Sequence, residues 1–479
     1  MAKKMWVLLA AITLCAGVAS AQDVKTKLQA AMKATGDVKS IQYSGTGKLD
    51  AFGQSFTPTS AWPATNLTSY TKTIDYDSKS AKEELTRVEP NPPIQGGGRP
   101  FGGEDKQVNF VSGHFAWDQP GSAPVPQMGA ADERQLQIWL TPNGFLKAAM
   151  ENNATAKKGM MGTVISFKSG KFAVNGTIDA QNMVTRTETW IPNPVLGDML
   201  VETIFSGYKD FGGVKFPATI VQKQGGFPVL ELTVTSVKAN PGLALSVPDA
   251  VKNAAMPQVN VKSQEIAEGV WFMGGGSHNS VLVEFPTYLT MIEGPLGDSR
   301  SLAVIAEAKK LVPGKPIKYL INSHHHFDHL GGVRAYVAEG ATIITNEMNV
   351  TFYEKIFSAP HSLAPDELAK NPKKATIIPV KGKYILTEGD RSIEIYHVDG
   401  DFHNADIMIS YLPKDKILVE ADDFTPDVPG VPAPSGLRPK IFSTNLNKQL
   451  QRLKLDVATV APLHGIVVPF SDFKKEAGD

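Results

Sequence analysis

The sequence is almost free of cysteine: its 479 residues contain a single one, Cys15. That residue lies in an apolar N-terminal stretch. Because the rest of the chain has no cysteine, it can form no disulfide and offers no thiolate to a metal. Excess charge is also missing, since 48 lysines and arginines balance 48 aspartates and glutamates. Without a basic surface, counterion release cannot drive nucleic-acid binding. We therefore expect a small-molecule substrate and no nucleic-acid partner.

The N-terminal segment has the features of an export signal. Lys3 and Lys4 precede an apolar stretch over residues 5–18, and Ala19-Ser20-Ala21 supplies the small residues that a signal peptidase recognises. We expect residues 1–21 to be a signal peptide and the protein to be periplasmic or secreted. The apolar stretch is shorter than the roughly 20 residues that cross a bilayer. No second such stretch follows, so we expect no stable membrane span.

Four of the ten histidines stand in one heptapeptide, Ser323-His324-His325-His326-Phe327-Asp328-His329. It directly follows the apolar run 317–321, which indicates a buried strand, and it precedes a helix-like segment at residues 332–338. Imidazole and carboxylate are the usual ligands of zinc and related divalent ions. A loop that leaves a strand end can turn several such side chains toward one point, so the heptapeptide predicts a metal site.

Further residues of ligand type each stand just after a short β-patterned run. They are His403, Asp422 with its neighbour Asp423, and His464. The runs that precede them cover residues 393–398, 416–421 and 457–461. Because open α/β sheets collect their sites at the carboxyl ends of strands, we expect all of these side chains along one sheet edge.

With these motifs the C-terminal half, residues 258–479, resembles a metallo-β-lactamase-fold hydrolase. The resemblance rests on the His-x-His-x-Asp-His signature and the three later motifs, and it extends to residues 266–272 and 279–284, which are similar to the first strands of that fold. It implies an αββα sandwich. A β-rich N-terminal domain over residues 22–250 would precede it, so the fold class of the whole chain is predicted as α+β.

The resemblance also implies a dinuclear metal centre. Carried over to this sequence, the family's pattern assigns one ion to His324, His326 and His403, and the other to Asp328, His329 and His464, with Asp422 as the bridge. Asp422 is preferred to Asp423 because it aligns with the residue that ends the strand in the family pattern. Two zinc ions are expected, and iron or manganese also suits these ligands. Asp328 is expected to orient the nucleophile, which makes it the candidate catalytic residue.

Two positions stand out beside the ligand motifs. Glu293 stands where many relatives have an aspartate that supports a metal ligand. Whether Glu293 replaces that aspartate or the supporting carboxylate is absent stays open. His278 follows a glycine-rich stretch and would lie at the mouth of the site, close enough to contact substrate. His325 and His397, by contrast, are interpreted as spacer or strand residues.

The N-terminal half begins with an amphipathic helix at residues 24–34 and continues with β-patterned runs, one of them at residues 214–221. Thr141 followed by Pro142 predicts the start of a second helix. The half loosely resembles the curved, half-open β-sheet domains of periplasmic lipoprotein carriers, whose concave face holds acyl chains. A scaffold that packs against the hydrolase domain is the simpler interpretation, because this half contains no catalytic constellation.

Three functions of different classes follow. The leading one is an exported metal-dependent hydrolase, in which a hydroxide shared by two metal ions cleaves an ester, lactone, thioester or β-lactam type bond. The second is a non-haem iron oxygenase on the same fold, since two histidines and a carboxylate also suit iron. The third is a periplasmic protein that binds a hydrophobic ligand and has a purely structural metal site.

Overall fold

The structure is a computed structural model that describes residues 21–91, 94–98, 100–428 and 440–478. The expected signal peptide therefore lies outside the described residues, apart from its last position, Ala21. Within the described ranges, no helix combines the length and the apolar character needed to cross a bilayer.

The N-terminal part consists of one large antiparallel sheet with helices packed on it. The helices are α1 (Ala21–Thr35), α2 (Ala131–Trp139), α3 (Pro142–Glu151) and α4 (Asp249–Lys252), with a 3-10 turn at Met128–Ala130. The strands are β1 (Ser40–Asp50), β2 (Ala64–Asp75), β3 (Ser80–Val88), β4 (Glu104–Ser112), β5 (Phe115–Asp118), β6 (Val125–Pro126), β7 (Thr155–Lys158), β8 (Thr163–Ser169), β9 (Phe172–Ile178), β10 (Val184–Asn193), β11 (Gly197–Ser206), β12 (Lys209–Asp210), β13 (Lys215–Phe216), β14 (Thr219–Gln224) and β15 (Phe227–Ala239).

Thirteen of these strands form the sheet in the order β6-β5-β4-β3-β2-β1-β15-β14-β11-β10-β9-β8-β7, while β12 and β13 pair separately. The run at residues 214–221, predicted as one strand, is thus divided between β13 and β14. Pro217 lies at the division. Proline has no N–H to donate to a strand ladder, so the prediction of a continuous strand there was wrong.

Helix α3 shows how the helices attach to the sheet. The side chain of Thr141 accepts a hydrogen bond from Gly144 N (3.3 Å) and Pro142 occupies the first turn, as the sequence predicts. The fully buried ring of Phe145 packs 5.5 Å from that of Phe167 and directly over Gly176 of β9. A Cβ atom at Gly176 would lie 2.3 Å from the Phe145 ring, so only glycine permits this close approach.

The C-terminal part contains two sheets flanked by helices. The first sheet is formed by β16 (Lys262–Ala267), β17 (Val270–Gly274), β18 (Ser280–Glu284), β19 (Leu289–Ile292), β20 (Ile317–Ile321), β21 (Thr342–Asn346) and β22 (Ile377–Val380), in that order. The second is formed by β23 (Lys383–Glu388), β24 (Arg391–His397), β25 (Met408–Leu412), β26 (Ile417–Glu420), β27 (Thr459–Pro462) and β28 (Val468–Pro469), also in order. The helices are α5 (Asp298–Leu311), α6 (Phe327–Leu330), α7 (Val333–Glu339), α8 (Val350–Ser358), α9 (Glu367–Lys370), α10 (Lys440–Leu453) and α11 (Phe470–Ala477), with a 3-10 turn at Glu347–Asn349.

Three apolar clusters show that these elements form four layers. One cluster joins the inner faces of the two sheets and includes Val281, Ile321, Ile395 and Val419. A second lies between the first sheet and α5 and α7, and a third lies between the second sheet and α10 and α11. The αββα sandwich, and with it the α+β fold class, is therefore confirmed.

The two parts of the chain meet at several places. In the β10–β11 hairpin, the Asp198 carboxylate accepts hydrogen bonds from Ser362 N (3.0 Å) and Leu363 N (2.9 Å), and Val195 is buried among the apolar side chains under α5 and α7. The loop of residues 51–63 between β1 and β2 reaches the sandwich at Phe327. Between β3 and β4, Gly96 N donates to Phe402 O (3.1 Å).

Replacing Phe145 with alanine is expected to lower the free energy of unfolding of the N-terminal part by about 3–5 kcal/mol, because a cavity would remain between α3 and the sheet. Urea unfolding followed by circular dichroism measures this change. Met160→Ala is the matched control, since Met160 is fully exposed. Equal unfolding midpoints for the two variants would contradict the packing described for α3.

Candidate metal centre

The predicted ligands stand at neighbouring strand ends. His324, His326, Asp328 and His329 follow β20, His403 follows β24, Asp422 follows β26, and His464 follows β27. Strands β26 and β27 are parallel, and β24 is antiparallel to β25, which is itself antiparallel to β26. The carboxyl ends of β24, β26 and β27 therefore share one edge of the second sheet, whereas β20 belongs to the first sheet. The structure brings all seven predicted side chains together, but from both sheets, so the expectation that they lie along the edge of a single sheet was wrong.

Three buried histidines form the first half of the cluster. One ring nitrogen from each of His324, His326 and His403 lies within 4.8 Å of the other two. His324 Nε2, His326 Nδ1 and His403 Nε2 are buried and have no hydrogen-bond partner among the described residues. Buried nitrogens without a partner are costly, so this arrangement is typical of ligands that face a metal ion.

Asp422 lies at the centre of the cluster. Its Oδ2 atom is 3.5 Å from His324 Nε2, 2.9 Å from His329 Nε2 and 3.6 Å from His403 Nε2, and its Oδ1 atom is 3.2 Å from His464 Nε2. The backbone of Asp422 has a φ of 65°, a left-handed conformation that is uncommon outside glycine and recurs at functional sites. One carboxylate thus faces both halves of the cluster, as a bridging ligand would.

The second half contains the three predicted ligands and one more histidine. His329 Nε2 and His464 Nε2 are 3.1 Å apart, and Asp328 Oδ2 is 4.0 Å from His329 Nε2. His278 Nε2 lies 3.2 Å from the same Asp328 oxygen. His278, which the sequence suggested as a substrate contact at the site mouth, is therefore part of a four-donor group with Asp328, His329 and His464.

The distances between donors fit a divalent ion. Four ligands at about 2.0–2.1 Å from a tetrahedral zinc lie about 3.3 Å from one another. The donor separations around Asp422 and between His329 and His464 range from 2.9 to 3.6 Å. The cluster opens toward solvent at Asp328, which is 36% exposed, whereas His324 on the opposite side is fully buried.

The protonation states of four donors favour cation binding. Burial and, next, the neighbouring imidazoles hold the pKa of His324 and of His326 well below the ordinary histidine value, so both are neutral and have a free lone pair. Burial opposes ionisation of Asp422 and Asp328, but the nearby histidines outweigh it and hold the pKa of both carboxyls well below their usual range. Neutral imidazoles and ionised carboxylates are the forms that bind metal.

Neighbouring polar groups contact the candidate ligands from behind. Glu293 is fully buried, and its Oε2 atom lies 3.7 Å from His329 Nδ1, on the ring edge that faces away from Asp422. Its other oxygen accepts a hydrogen bond from Asn322. His464 Nδ1 donates to Ser277 O (3.2 Å), which leaves Nε2 directed at the cluster. Glu293 thus stands behind a candidate ligand, where many relatives of this fold have an aspartate.

The neighbouring candidates lie outside the cluster. Both ring nitrogens of His325 face other groups, Nδ1 toward Asp406 Oδ1 (2.5 Å) and Nε2 toward Ser55 Oγ (3.0 Å). His397 Nε2 donates to Ala405 O (2.9 Å), and Asp423 is buried but belongs to none of the donor groups. Their positions agree with the interpretation of the two histidines as spacer and strand residues, and with the preference for Asp422.

The contribution of the N-terminal part was missed. Gln54 Nε2 donates to Asp328 Oδ1 (2.8 Å), and His326 Nε2 donates to Ser55 O (2.9 Å). Gln54 and Asp328 are 274 residues apart in the sequence. Residues 53–56 contain no ligand type and no recognisable motif, so no local signal in the sequence indicates this contact.

Several solved structures are similar to a little under half of this chain. A metallo-beta-lactamase from Pontibacter korlensis is 20% identical, covers 46% of this chain and 97% of its own, and has a TM-score of 0.35. The DIM-1 metallo-beta-lactamase is 18% identical, with coverages of 45% and 95% and a TM-score of 0.34. TMB-1 is 16% identical, with coverages of 46% and 96% and a TM-score of 0.34.

The family model described as the Metallo-beta-lactamase superfamily matches residues 273–462. The matched segment begins in β17 and ends with β27, and it contains every candidate ligand except His464, which lies two residues beyond it. Residues 273–462 therefore form a domain of the metallo-beta-lactamase superfamily.

Proposed function

We propose that this protein is a metal-dependent hydrolase that uses two divalent ions to cleave an ester, lactone, thioester or β-lactam type bond in a small molecule. The observation that carries the proposal is the convergence of six predicted donor side chains on a seventh, Asp422, with ring nitrogens that are buried and unpartnered among the described residues. Zinc is the expected ion, and iron or manganese suits the same donors.

Each group of donors has a separate role in this proposal. His324, His326 and His403 would hold one ion, Asp328, His329 and His464 would hold the other, and Asp422 would contribute to both sites. Bound metal ions supply an activated water, by lowering its pKa to about 7, and polarise the scissile carbonyl. Asp328, on the open side of the cluster, orients the attacking water and accepts its proton.

The charge distribution favours carbonyl substrates over phosphodiesters. The chain has no net charge, and within the described part of the chain the ion pairs of the seven donors involve no lysine or arginine. A phosphodiester brings a negative charge that hydrolases commonly meet with cationic side chains as well as metal ions. A neutral acyl group needs no such partner.

The test is hydrolysis by zinc-loaded protein across chromogenic β-lactam, lactone, thioester, aryl ester and phosphodiester substrates. We expect two zinc ions per chain and turnover of one carbonyl class. Asp422→Asn is expected to lose at least one ion and more than about 100-fold in kcat/KM, because loss of a bridging ligand exceeds the 10–100-fold cost of losing a supporting contact.

Asp399→Asn is the matched control, since Asp399 is an exposed aspartate in the loop that leads to His403. It should retain both metal ions and full turnover. A folded protein with two zinc ions that hydrolyses nothing in the panel would contradict the hydrolase proposal. Oxygen-dependent turnover after loading with iron(II) would then favour the oxygenase alternative.

We further propose that the protein is exported to the periplasm or secreted. The support is the basic, apolar and small-residue pattern of residues 1–21. Expression of the full chain in a bacterial host, followed by fractionation and mass spectrometry, should give an extracytoplasmic protein whose first residue is Gln22. A cytoplasmic product that retains Lys3 and Lys4 would contradict export.

A cavity in the N-terminal part supports a second candidate function, the binding of a hydrophobic ligand. The cavity has a volume of about 360 Å³ and is lined mainly by apolar side chains, among them Leu85, Val111, Leu140 and Ile220. None of the candidate metal ligands lines it. Apolar pockets of this size are typical binding sites for small molecules with an apolar body.

Titration with a fluorescent long-chain fatty acid tests this second function. Ala81→Phe, which places a ring in the cavity, is expected to weaken binding at least about tenfold, because the ligand's apolar contacts are lost. Ala173→Phe introduces the same ring at an exposed position of the same sheet and should leave binding unchanged. Equal affinities for both variants would show that the probe does not occupy this cavity.

A further inference from the structure

The loop of residues 51–63 leaves the N-terminal sheet and lies against the metal cluster. Phe327 N donates to Gly53 O (3.2 Å) and Ala405 N donates to Phe56 O (2.9 Å), so the loop contacts both the segment after β20 and the segment after β24. It therefore pairs through its backbone with the two segments that contain His324, His326, Asp328 and His403.

Aromatic packing anchors the loop. The Phe52 ring lies 4.6 Å from that of Trp62 and 5.3 Å from that of Phe327, both edge to face. Gly53 has a φ of +73°, and a Cβ atom there would lie 2.5 Å from the Phe327 ring. Glycine therefore permits the close approach that brings the next two residues to the cluster.

Gln54 and His278 hold the two oxygens of Asp328 separately. Gln54 Nε2 donates to Oδ1 (2.8 Å), and His278 Nε2 lies 3.2 Å from Oδ2. Contacts at both oxygens restrain the plane of the carboxylate, with Oδ2 on the side of His329 (4.0 Å to Nε2). Without Gln54, the contact with His278 would be left to restrain Asp328 against rotation toward the solvent on the open side of the cluster.

Ser55 acts on a different ligand. Its carbonyl oxygen accepts the Nε2 proton of His326 (2.9 Å), which places the free lone pair of that ring on Nδ1, the buried atom that faces the cluster. Its hydroxyl lies 3.0 Å from His325 Nε2, and His325 in turn contacts Asp406. The loop thereby sets both the tautomer and the orientation of a candidate ligand.

We propose that the N-terminal part completes the metal centre, with Gln54 as the positioning residue for Asp328 and the Ser55 carbonyl as the positioning group for His326. The proposal rests on the proposed function in so far as Asp328 and His326 are metal ligands. The sandwich contains every candidate ligand, but Gln54 and the Ser55 carbonyl, which contact Asp328 and His326, come from the N-terminal part. The N-terminal part therefore has a direct role in the chemistry.

The test compares Gln54→Ala and Gln54→Glu in the full chain. Apo-protein is titrated with cobalt(II) against a chromophoric chelator, which resolves the affinities of the first and second ions. We expect the second ion to bind about 10–100-fold more weakly in Gln54→Ala, the range for a lost supporting contact. The first ion, at His324, His326 and His403, should keep its affinity.

The isosteric variant separates positioning from packing. Gln54→Glu keeps the shape of the side chain but replaces the donor with an anion that repels Asp328, so we expect it to weaken the second ion more than Gln54→Ala does. A purely structural loop would predict the opposite order. With the zinc-loaded enzyme, kcat should fall in both variants while KM changes little, because the reacting groups and not the substrate pocket are disturbed.

Thr59→Ala is the matched control, since Thr59 is an exposed residue of the same loop. It should bind both ions as the unmodified chain does. If the unmodified chain binds two ions and both Gln54 variants bind them with equal affinity, the inference is wrong and the proposed function stands. If the unmodified chain binds fewer than two ions, the dinuclear site fails, and this inference fails with it.

Discussion

The structure depends on a carboxylate, Asp422, that lies largely out of water among four imidazoles, with 21% of its side chain exposed. Taking an ionised carboxylate out of water costs several kcal/mol unless opposite charge compensates it. In this cluster the carboxylates of Asp422 and Asp328 face His329, whose burial opposes a charge but whose pKa these two anions raise well above the ordinary value. Metal ions would supply the compensating charge to both halves at once, and their binding free energy would then contribute to the stability of the fold.

The surrounding architecture serves to bring these donors to one point. Three of the four chain segments with donors follow strands of the second sheet, and the fourth follows β20 of the first sheet. The backbone is left-handed at Asp422 and Glu293, each of which stands just after a strand end. The N-terminal sheet contributes the loop of residues 51–63, which its own aromatic side chains hold against Phe327. The β10–β11 hairpin and Gly96 also contact the sandwich, so the loop approaches the cluster from a part of the chain that is attached at several places.

The convergence of the candidate ligands was predictable from the sequence because each belongs to a short motif directly after a β-patterned run, and local patterns determine strand ends. Thr141 and Pro142 likewise mark the start of α3 through local chemistry. The strand break at Pro217 was missed because the apolar pattern continues across it, and the role of Glu293 depends on what it faces after folding. Gln54 had no local signal, since its partner lies in another domain and only tertiary packing joins them.

The central claim is that one carboxylate joins two metal sites, and anomalous diffraction from crystals of the zinc-loaded full chain tests it most directly. Data collected on both sides of the zinc absorption edge should reveal two peaks, one among His324, His326 and His403 and one among Asp328, His329 and His464, with Asp422 between them. A single peak, or zinc bound away from Asp422, would contradict the account.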